Sequence, residues 1–352
     1  METFNATVIQ SAVRPVVRRG SDEVDLDALA HNVRHVADLV TRGAAVSSSK
    51  VFVLPEFCIQ GFDLGVSTST WLKASIRLDG PDLDPLREAA RSADAYVAGM
   101  AYELIDEFPG RFFNTGFIID PSGDVALRYR KLYSLTGKTS PQDVFRQYCE
   151  YFGGPESLFP VLDTPYGRLG VLVCYDIHFP EVARCLALRG AELLLHVTSE
   201  GRGPEHIDEA GGGWTAARKA RAWENNCYLL MANSGPIFDS CLPPNVCHGE
   251  SQILDFTGRV LNRAGGTEEC LITAPIDIDA LRCRRAGSRF AFLTEFCPEA
   301  HVSIYSNALG RPAGLFEAAP MTNVADARAS QEAAYRALCE AGQLVPPAGK
   351  DR

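Results

Sequence analysis

The segment from residue 168 to residue 200 constrains the fold of this chain more than any other stretch. It reads RLGVLVCYDIHFPEVARCLALRGAELLLHVTSE, in which two apolar runs, Leu169 to Val173 and Leu193 to Val197, flank a helical pattern from Glu181 to Arg189. The order strand, turn, helix, strand indicates an α/β fold. It places Cys174 on the turn after the first strand, where the start of the following helix is expected to favour a thiolate.

Cys174 by itself allows two interpretations. Most free cysteines are small core residues, whereas a single thiol at a strand end is also a candidate nucleophile. The eleven cysteines stand at positions 58, 149, 174, 185, 227, 241, 247, 270, 283, 297 and 339. Their number is odd and no CxxC pair occurs, so neither a disulfide framework nor a zinc ribbon is indicated. Free thiols fit a reducing cytoplasm.

The composition argues against nucleic acids and membranes as binding partners of this chain. The chain has 352 residues, 46% of them hydrophobic, and a formal net charge of −10. An acidic chain is a poor general binder of nucleic acid or anionic membranes. No stretch approaches the length of a membrane span. The N-terminus METFNATVIQ has neither a basic region nor a long apolar region, so we expect no signal peptide and a cytoplasmic protein.

Strands alternate with helices along most of the chain, interrupted by hairpins, which predicts an α/β fold with a mixed sheet. The predicted strands are Ala6–Val13, Val51–Leu54, Ala95–Tyr102, Phe112–Ile119, Val125–Tyr129, Tyr228–Asn233, Ser251–Phe256, Val260–Ala264 and Leu271–Ile278, the last with Pro275 as a mark of an edge or a bulge. The predicted helices include Asp25–Leu39, Asp82–Ser92, Thr215–Asn225 and Asp326–Ala341, and residues 134–160 are predicted to be rich in loops.

Three polar residues fall at predicted strand ends: Glu56, Lys131 and Cys174. Side chains at the carboxyl ends of strands can converge on one crevice of an α/β fold. A thiol needs a base, a buried carboxylate can be that base, and a lysine can stabilise an oxyanion. Each residue alone is more often a surface charge, a cap or a core residue, but the three together indicate a catalytic site.

The segments around these residues resemble a known family. VFVLPEFCIQGF, RYRKLYS and GVLVCYDIHFPE are similar to the three catalytic segments of the nitrilase superfamily, the carbon–nitrogen hydrolases. The family's Glu–Lys–Cys triad falls on Glu56, Lys131 and Cys174. ARAWENNCYLLMAN and HGESQILDFTGRVL resemble later segments of the family, so the similarity covers residues 5 to 280 or so.

The resemblance implies a four-layer α-β-β-α sandwich that assembles into a homodimer or a larger homo-oligomer. It implies a small-molecule substrate, no metal and no organic cofactor. We place the hydrolase domain at residues 1–305 and a C-terminal extension, helical and packed on the body or on a partner subunit, at residues 306–352. Many members also have a second active-site glutamate, for which Glu150 and Glu156 compete; we favour Glu150.

The implied reaction begins when Glu56 takes the thiol proton and Cys174 attacks an amide carbon. Lys131 and the backbone N–H of Tyr175 are expected to hold the oxyanion. Ammonia leaves, and water hydrolyses the thioester.

The sequence Cys-Tyr-Asp at 174–176 resembles amidases, because true nitrilases usually have Cys-Trp-Glu there. Relatives that bind carboxylates often have an arginine three or four residues after the cysteine, where this chain has Ile177 and His178. A neutral amide is therefore the predicted substrate, unless Arg202 or Arg218 recognises charge instead. A carbamoyl or ureido compound is the first alternative, a nitrile the next, and a non-catalytic interaction protein the last.

Overall fold

Two six-stranded sheets form the centre of the protein. The computed structural model describes residues 3–17, 20–63, 65–134, 138–200, 212–238, 249–287 and 289–347. In chain order the strands in these ranges are β1 (Phe4–Gln10), β2 (Val51–Val53), β3 (Tyr96–Glu103), β4 (Phe113–Ile119), β5 (Val125–Arg130), β6 (Val161–Thr164), β7 (Gly167–Val173), β8 (Leu193–Val197), β9 (Tyr228–Ala232), β10 (Gln252–Leu254), β11 (Val260–Arg263) and β12 (Cys270–Ile276).

Each sheet has three parallel strands at its centre and antiparallel strands outside them. The first sheet has the order β12-β1-β2-β3-β4-β5, with β1, β2 and β3 parallel. The second has the order β11-β10-β9-β8-β7-β6, with β7, β8 and β9 parallel. Pro275 lies in β12, an edge strand, where its missing N–H costs no ladder bond. The prediction of a mixed pattern with an edge strand at Pro275 is confirmed.

Helices cover the outer faces of both sheets. The α-helices in the described ranges are α1 (Leu26–Ser47), α2 (Thr68–Ala74), α3 (Asp84–Ala93), α4 (Phe145–Phe152), α5 (Pro180–Leu188), α6 (Gly213–Asn225), α7 (Ile278–Gly287), α8 (Glu299–Asn307) and α9 (Val324–Glu340). The pair α1 and α3 packs outside the first sheet and the pair α5 and α6 outside the second, while the two sheets face each other. The predicted four-layer sandwich is confirmed. None of these helices is long and apolar enough to cross a membrane.

The sheets approach closely beside Cys174 because β4 carries a glycine there. A Cβ atom on Gly116 would lie 2.5 Å from Cγ1 of Val171 and 3.1 Å from Cγ2 of Val173, both in β7. These distances are shorter than ordinary carbon contacts. Gly116 therefore lets the end of β7, and the cysteine after it, pack directly on the first sheet.

Two local predictions differ from the structure. Residues 134–160 contain α4 and two 3-10 helices, Pro141–Val144 and Pro155–Leu158, in place of the predicted loop. The buried ring of Tyr148 anchors α4 against Phe108 and Phe113, a long-range contact without a local signal. Helix α1 continues eight residues beyond Leu39, because its last turns pack on the first sheet through Gly43.

The C-terminal residues contact the body of the protein. Arg111 donates hydrogen bonds to the carbonyl oxygens of Phe316 and Glu317 at 2.6 and 3.0 Å, and the N–H of Gly314 donates to Gln142 O at 2.7 Å. Helix α8 runs across the predicted boundary between residues 305 and 306. The division into domain and extension stays a prediction.

Candidate active site

Three residues that follow strands of the two sheets come together at one edge of the sandwich. Glu56 follows β2, Lys131 directly follows β5, and Cys174 directly follows β7. The Nζ atom of Lys131 lies 2.8 Å from Oε1 of Glu56. Both charges influence the pKa of the Cys174 thiol, which the Glu56 carboxylate raises and the Lys131 ammonium lowers. The structure thus assembles a carboxylate, an ammonium and a thiol from both sheets.

Glu56 is fully buried, and its two oxygens have different surroundings. Oε1 accepts hydrogen bonds from Lys131 Nζ at 2.8 Å and from Asn114 Nδ2 at 2.7 Å. Oε2 is buried and accepts none from the residues that the structure describes. A buried acceptor without a partner is costly. Oε2 is therefore the oxygen positioned to take a proton from a group in the site.

The backbone of Glu56 is tied to the opposite sheet. Its N–H donates to the carbonyl oxygen of Thr198 at 3.1 Å, and its own carbonyl accepts from Ser234 Oγ at 3.1 Å. Thr198 follows β8 and Ser234 lies just after β9. The carboxylate is thereby held in a fixed position between the two sheets.

Cys174 has a left-handed backbone conformation, with φ +47°. Non-glycine residues avoid this region, and strain of this kind typically costs about 1–3 kcal/mol unless the surroundings enforce it. Cys174 begins a 3-10 helix, Cys174–His178. The Nε2 atom of His196 lies within hydrogen-bond distance, 3.1 Å, of the Cys174 carbonyl oxygen. The turn therefore presents the thiol at the end of β7 rather than along the strand.

Asp176 holds this turn in place. Its Oδ2 accepts from Tyr129 Oη at 2.8 Å and from the Val173 N–H at 3.2 Å, and its Oδ1 accepts from the Tyr133 N–H at 2.9 Å. Burial raises the pKa of the Asp176 carboxyl to about 6, although Lys131 and these hydrogen bonds oppose the shift. Three donors on one buried carboxyl group fix the geometry of the residues around Cys174.

We expect Asp176→Asn to lower kcat by about 10–100-fold, because an amide cannot accept all three hydrogen bonds and a small displacement of a reacting atom is costly. KM should change much less, since the side chain lies behind the turn. The folded state should also lose about 1–3 kcal/mol through an unsatisfied buried donor. Steady-state kinetics and urea unfolding measure both effects. Exposed Asp82→Asn is the control, and an unchanged kcat would show that Asp176 does not position the nucleophile.

Cys174 is protonated, as a thiol, at neutral pH. Burial and the nearby Glu56 carboxylate raise the pKa of Cys174 to about 12, although Lys131, the Thr198 hydroxyl and the Ser199 amide act in the opposite direction. The expectation that the helix start would favour a thiolate is therefore wrong. Burial alone would lower the pKa of Lys131, but the negative charges around it, Glu56 first, raise it above its ordinary value. Lys131 is thus an ammonium, and the thiol needs a base.

The structure does not bring either candidate for a second glutamate to these three residues. Glu150 lies on the outer face of α4 with 65% of its side chain exposed, 3.4 Å from Arg146. Glu156 is exposed on the 3-10 helix that follows. Helix α4 turns Glu150 outward because Tyr148 occupies its buried face.

Tyr175 and His178 lie in the same 3-10 helix as Cys174. The N–H of Tyr175 belongs to the first turn of the 3-10 helix, where backbone donors have no partner within the helix. The ring of His178 packs against those of Trp214 and Tyr175, with centroids 4.2 and 5.2 Å apart. Burial, Arg221 and Arg218 lower the pKa of His178, so its ring is neutral at neutral pH and offers a substrate no charge.

Of the two arginines named as alternatives, Arg218 is buried and pairs with Glu200 at 2.5 Å. Arg202 lies outside the described residues. Within the described ranges, no group of three or more His, Cys, Asp and Glu side chains is arranged to hold a metal ion.

Sequence reasoning missed the residues that support the triad: Asn114, Asp176, His196, Thr198 and Lys138. Asn114 and His196 lie in strands and Thr198 directly follows one, so a search of all strands for polar residues would have found them, and Asp176 stands two residues after Cys174. Lys138 lies in a loop segment, where its position in the sequence gives no indication of burial. It is buried, and its Nζ atom lies 4.2 Å from the ring centroid of Phe57, 4.6 Å from that of Tyr102 and 5.1 Å from that of Phe62.

Comparison with known proteins identifies the family of this chain. The family model described as "Carbon-nitrogen hydrolase" matches residues 23–286. The chain is 28% identical to omega-amidase NIT2 of Mus musculus over 281 residues, which cover 80% of this chain and 91% of that protein. It is 29% identical to omega-amidase NIT2 of Bos taurus over 281 residues, with the same two coverages of 80% and 91%.

Solved structures show the same fold. An amidase from Nesterenkonia sp. has 25% sequence identity and a TM-score of 0.55, covering 80% of this chain and 94% of that one. Saccharomyces cerevisiae Nit3, described as a member of branch 10 of the nitrilase superfamily, has 20% identity and a TM-score of 0.63, covering 84% of this chain and 97% of that one. The resemblance seen in the three catalytic segments is confirmed, and the chain belongs to the carbon–nitrogen hydrolase family.

Proposed function

We propose that the protein is an amidase that converts an amide and water into a carboxylic acid and ammonia through a thioester on Cys174. The observation that carries this proposal is a protonated thiol next to a buried Glu56–Lys131 pair whose second carboxylate oxygen accepts no hydrogen bond from the described residues. The relatives named omega-amidase support amides as the substrate class.

In the first half-reaction Glu56 Oε2 takes the thiol proton while sulfur attacks the amide carbon. The carbonyl oxygen becomes an oxyanion, which the Lys131 ammonium and the Tyr175 N–H stabilise. The carbon–nitrogen bond then breaks, and the nitrogen leaves as ammonia with the proton that Glu56 carries. The acyl group remains on sulfur as a thioester.

In the second half-reaction water replaces ammonia. Glu56 takes a proton from the water as its oxygen attacks the thioester carbon, and the same two donors hold the new oxyanion. The carbon–sulfur bond breaks, Glu56 returns the proton to sulfur, and the carboxylic acid leaves. One carboxylate thus serves both halves as base and then as acid.

The proposal is tested by measuring ammonia release from amides, N-carbamoyl compounds and nitriles, with hydroxylamine present to trap a thioester as a hydroxamate. We expect amides to be the best substrates and the hydroxamate to appear only with active enzyme. Faster turnover of carbamoyl compounds or nitriles, or release of ammonia without a trappable acyl group, would overturn it.

We also propose that the protein acts in a reducing compartment, the cytoplasm, and self-associates. Nine cysteines in the described ranges are free thiols, which fits a reducing environment. Helix α8 exposes Val302, Ile304 and Tyr305, apolar side chains of the kind that subunit interfaces cover. Light scattering of the purified protein should give the mass of a dimer or a larger assembly, and a monomer at micromolar concentration would contradict self-association.

A further inference from the structure

Lys138 lies in a cage of aromatic rings. Only 4% of its surface is exposed, and its Nζ atom lies over the rings of Phe57, Tyr102 and Phe62 at 4.2, 4.6 and 5.1 Å. An ammonium over ring faces at such distances is attracted by their negative charge density. The rings stabilise the cation but provide no hydrogen-bond acceptor, so they leave its N–H groups without strong partners.

The other buried cations of the described residues have oxygen acceptors, which are carboxylates in most cases and the carbonyl oxygens of Phe316 and Glu317 for Arg111. Lys131 pairs with Glu56 at 2.8 Å, Arg130 with Glu103 at 2.9 Å, and Arg218 with Glu200 at 2.5 Å. No carboxylate of the described residues lies within 4 Å of Lys138 Nζ. Burying a charge without a counterion is expensive, so an unpaired buried lysine indicates a site that receives its counterion from elsewhere.

The cage is continuous with the catalytic residues. Phe57 directly follows Glu56 and has φ +65°, a left-handed conformation that non-glycine residues avoid. Such strain is concentrated at functional sites. The charges of Glu56, Lys131 and Cys174 all act on Lys138, which places its ammonium in the same electrostatic environment as the triad. Phe57 thus belongs both to the cage around Lys138 and to the segment that carries Glu56.

We propose that Lys138 determines substrate specificity by binding a carboxylate, so that the preferred substrate is an amide with an anionic group at its other end. The proposal rests on the amidase function above and specifies its substrate class. A carboxylate would supply the missing counterion and accept charge-assisted hydrogen bonds from Nζ. The expectation of a neutral amide considered only position 178, and Lys138 supports the opposite preference.

The test compares two substrates that differ only at the far end: succinamate, with a carboxylate, and butyramide, with a methyl group. The wild type should prefer succinamate in kcat/KM by at least about tenfold. In Lys138→Met that preference should fall by about 10–100-fold, as expected for loss of a hydrogen bond to a charged group, and the loss should appear mainly in KM. Lys138→Arg should retain most of the preference, and exposed Lys73→Met should retain all of it.

The effect of pH provides a second readout. Burial lowers the pKa of Lys138 to about 7, with Lys131 acting in the same direction and Glu56 and Cys174 against it. The amine loses its charge as pH rises through this value, so the ratio of kcat/KM for succinamate to that for butyramide should fall between about pH 6 and pH 8. Titration of Glu56 or Cys174 affects both substrates and cancels in the ratio. In Lys138→Met the ratio should not vary with pH.

Each outcome separates the two proposals. Equal losses for both substrates in Lys138→Met would overturn the specificity role, since a base or a structural residue would affect both alike, and so would an unchanged preference. If neither substrate is turned over, the amidase proposal fails, and binding of succinamate and butyramide to Cys174→Ala, measured by calorimetry, still tests Lys138. Binding of succinamate that is no tighter than that of butyramide would overturn its role.

Discussion

Replacing Cys174 by alanine should abolish amide turnover while leaving the protein folded. Loss of a covalent nucleophile removes the thioester route altogether, and comparable losses are on the order of 10⁶-fold in kcat. The change deletes one sulfur atom and keeps the backbone hydrogen bonds of the turn, so unfolding in urea should change little. Ammonia release from succinamate or butyramide measures the loss.

The matched control is Cys227→Ala, since Cys227 is also buried but directly precedes β9, at the end of that strand opposite to Ser234. It should keep its activity while losing some stability. Cys174→Gly is a second variant of interest: glycine adopts φ +47° without steric cost, so this inactive variant should be at least as stable as Cys174→Ala. Near wild-type turnover in either Cys174 variant would end the thioester mechanism.

Replacing Glu56 by glutamine should slow both half-reactions by about 10²–10⁴-fold, as loss of a general base does. Glutamine can keep the hydrogen bonds from Lys131 and Asn114 on one oxygen. Its nitrogen then stands where Oε2 stood and cannot take a proton. Rapid-quench measurement of acylation and of thioester hydrolysis should show both rates reduced. A variant that slows only one of them would contradict a single shared base.

In Glu56→Gln, the loss of folding stability has to be measured separately from the loss of catalytic rate. Glu56→Gln leaves the Lys131 ammonium buried without its counterion, which typically costs about 3–5 kcal/mol. Glu56→Gln combined with Lys131→Met removes both charges, so it should regain stability but remain inactive. Glu103→Gln breaks another buried pair, with Arg130 at 2.9 Å, and should lose stability while keeping most of its activity.

The sequence predicted the features that depend on neighbours along the chain. The apolar run Leu193–Val197 is a strand with the same bounds in the structure. Glu56, Lys131 and Cys174 could be predicted because each stands at or shortly after the end of a recognisable strand. Family resemblance then joined three distant segments into one site, which periodicity alone could not do.

What the sequence missed depends on packing between distant segments. Glu150 was chosen from its spacing, but the burial of Tyr148 decides which face of α4 is turned outward. The protonation of Cys174 depends on Glu56, 118 positions earlier in the chain but in the same buried site. A role for Lys138 could not be predicted, because the rings that surround it come from the distant positions 57, 62 and 102.

The hydrogen bonds that join the backbone of Glu56 to Thr198 and Ser234 have a consequence during synthesis. The strands that carry Glu56 and Lys131 leave the ribosome first, and the strand that carries Cys174 follows, so nascent chains hold base and nucleophile in separate halves. Domains of this size generally complete packing only when all their elements are available. The thiol therefore meets its base only in the finished sandwich, and an unfinished chain cannot hydrolyse an amide by this route.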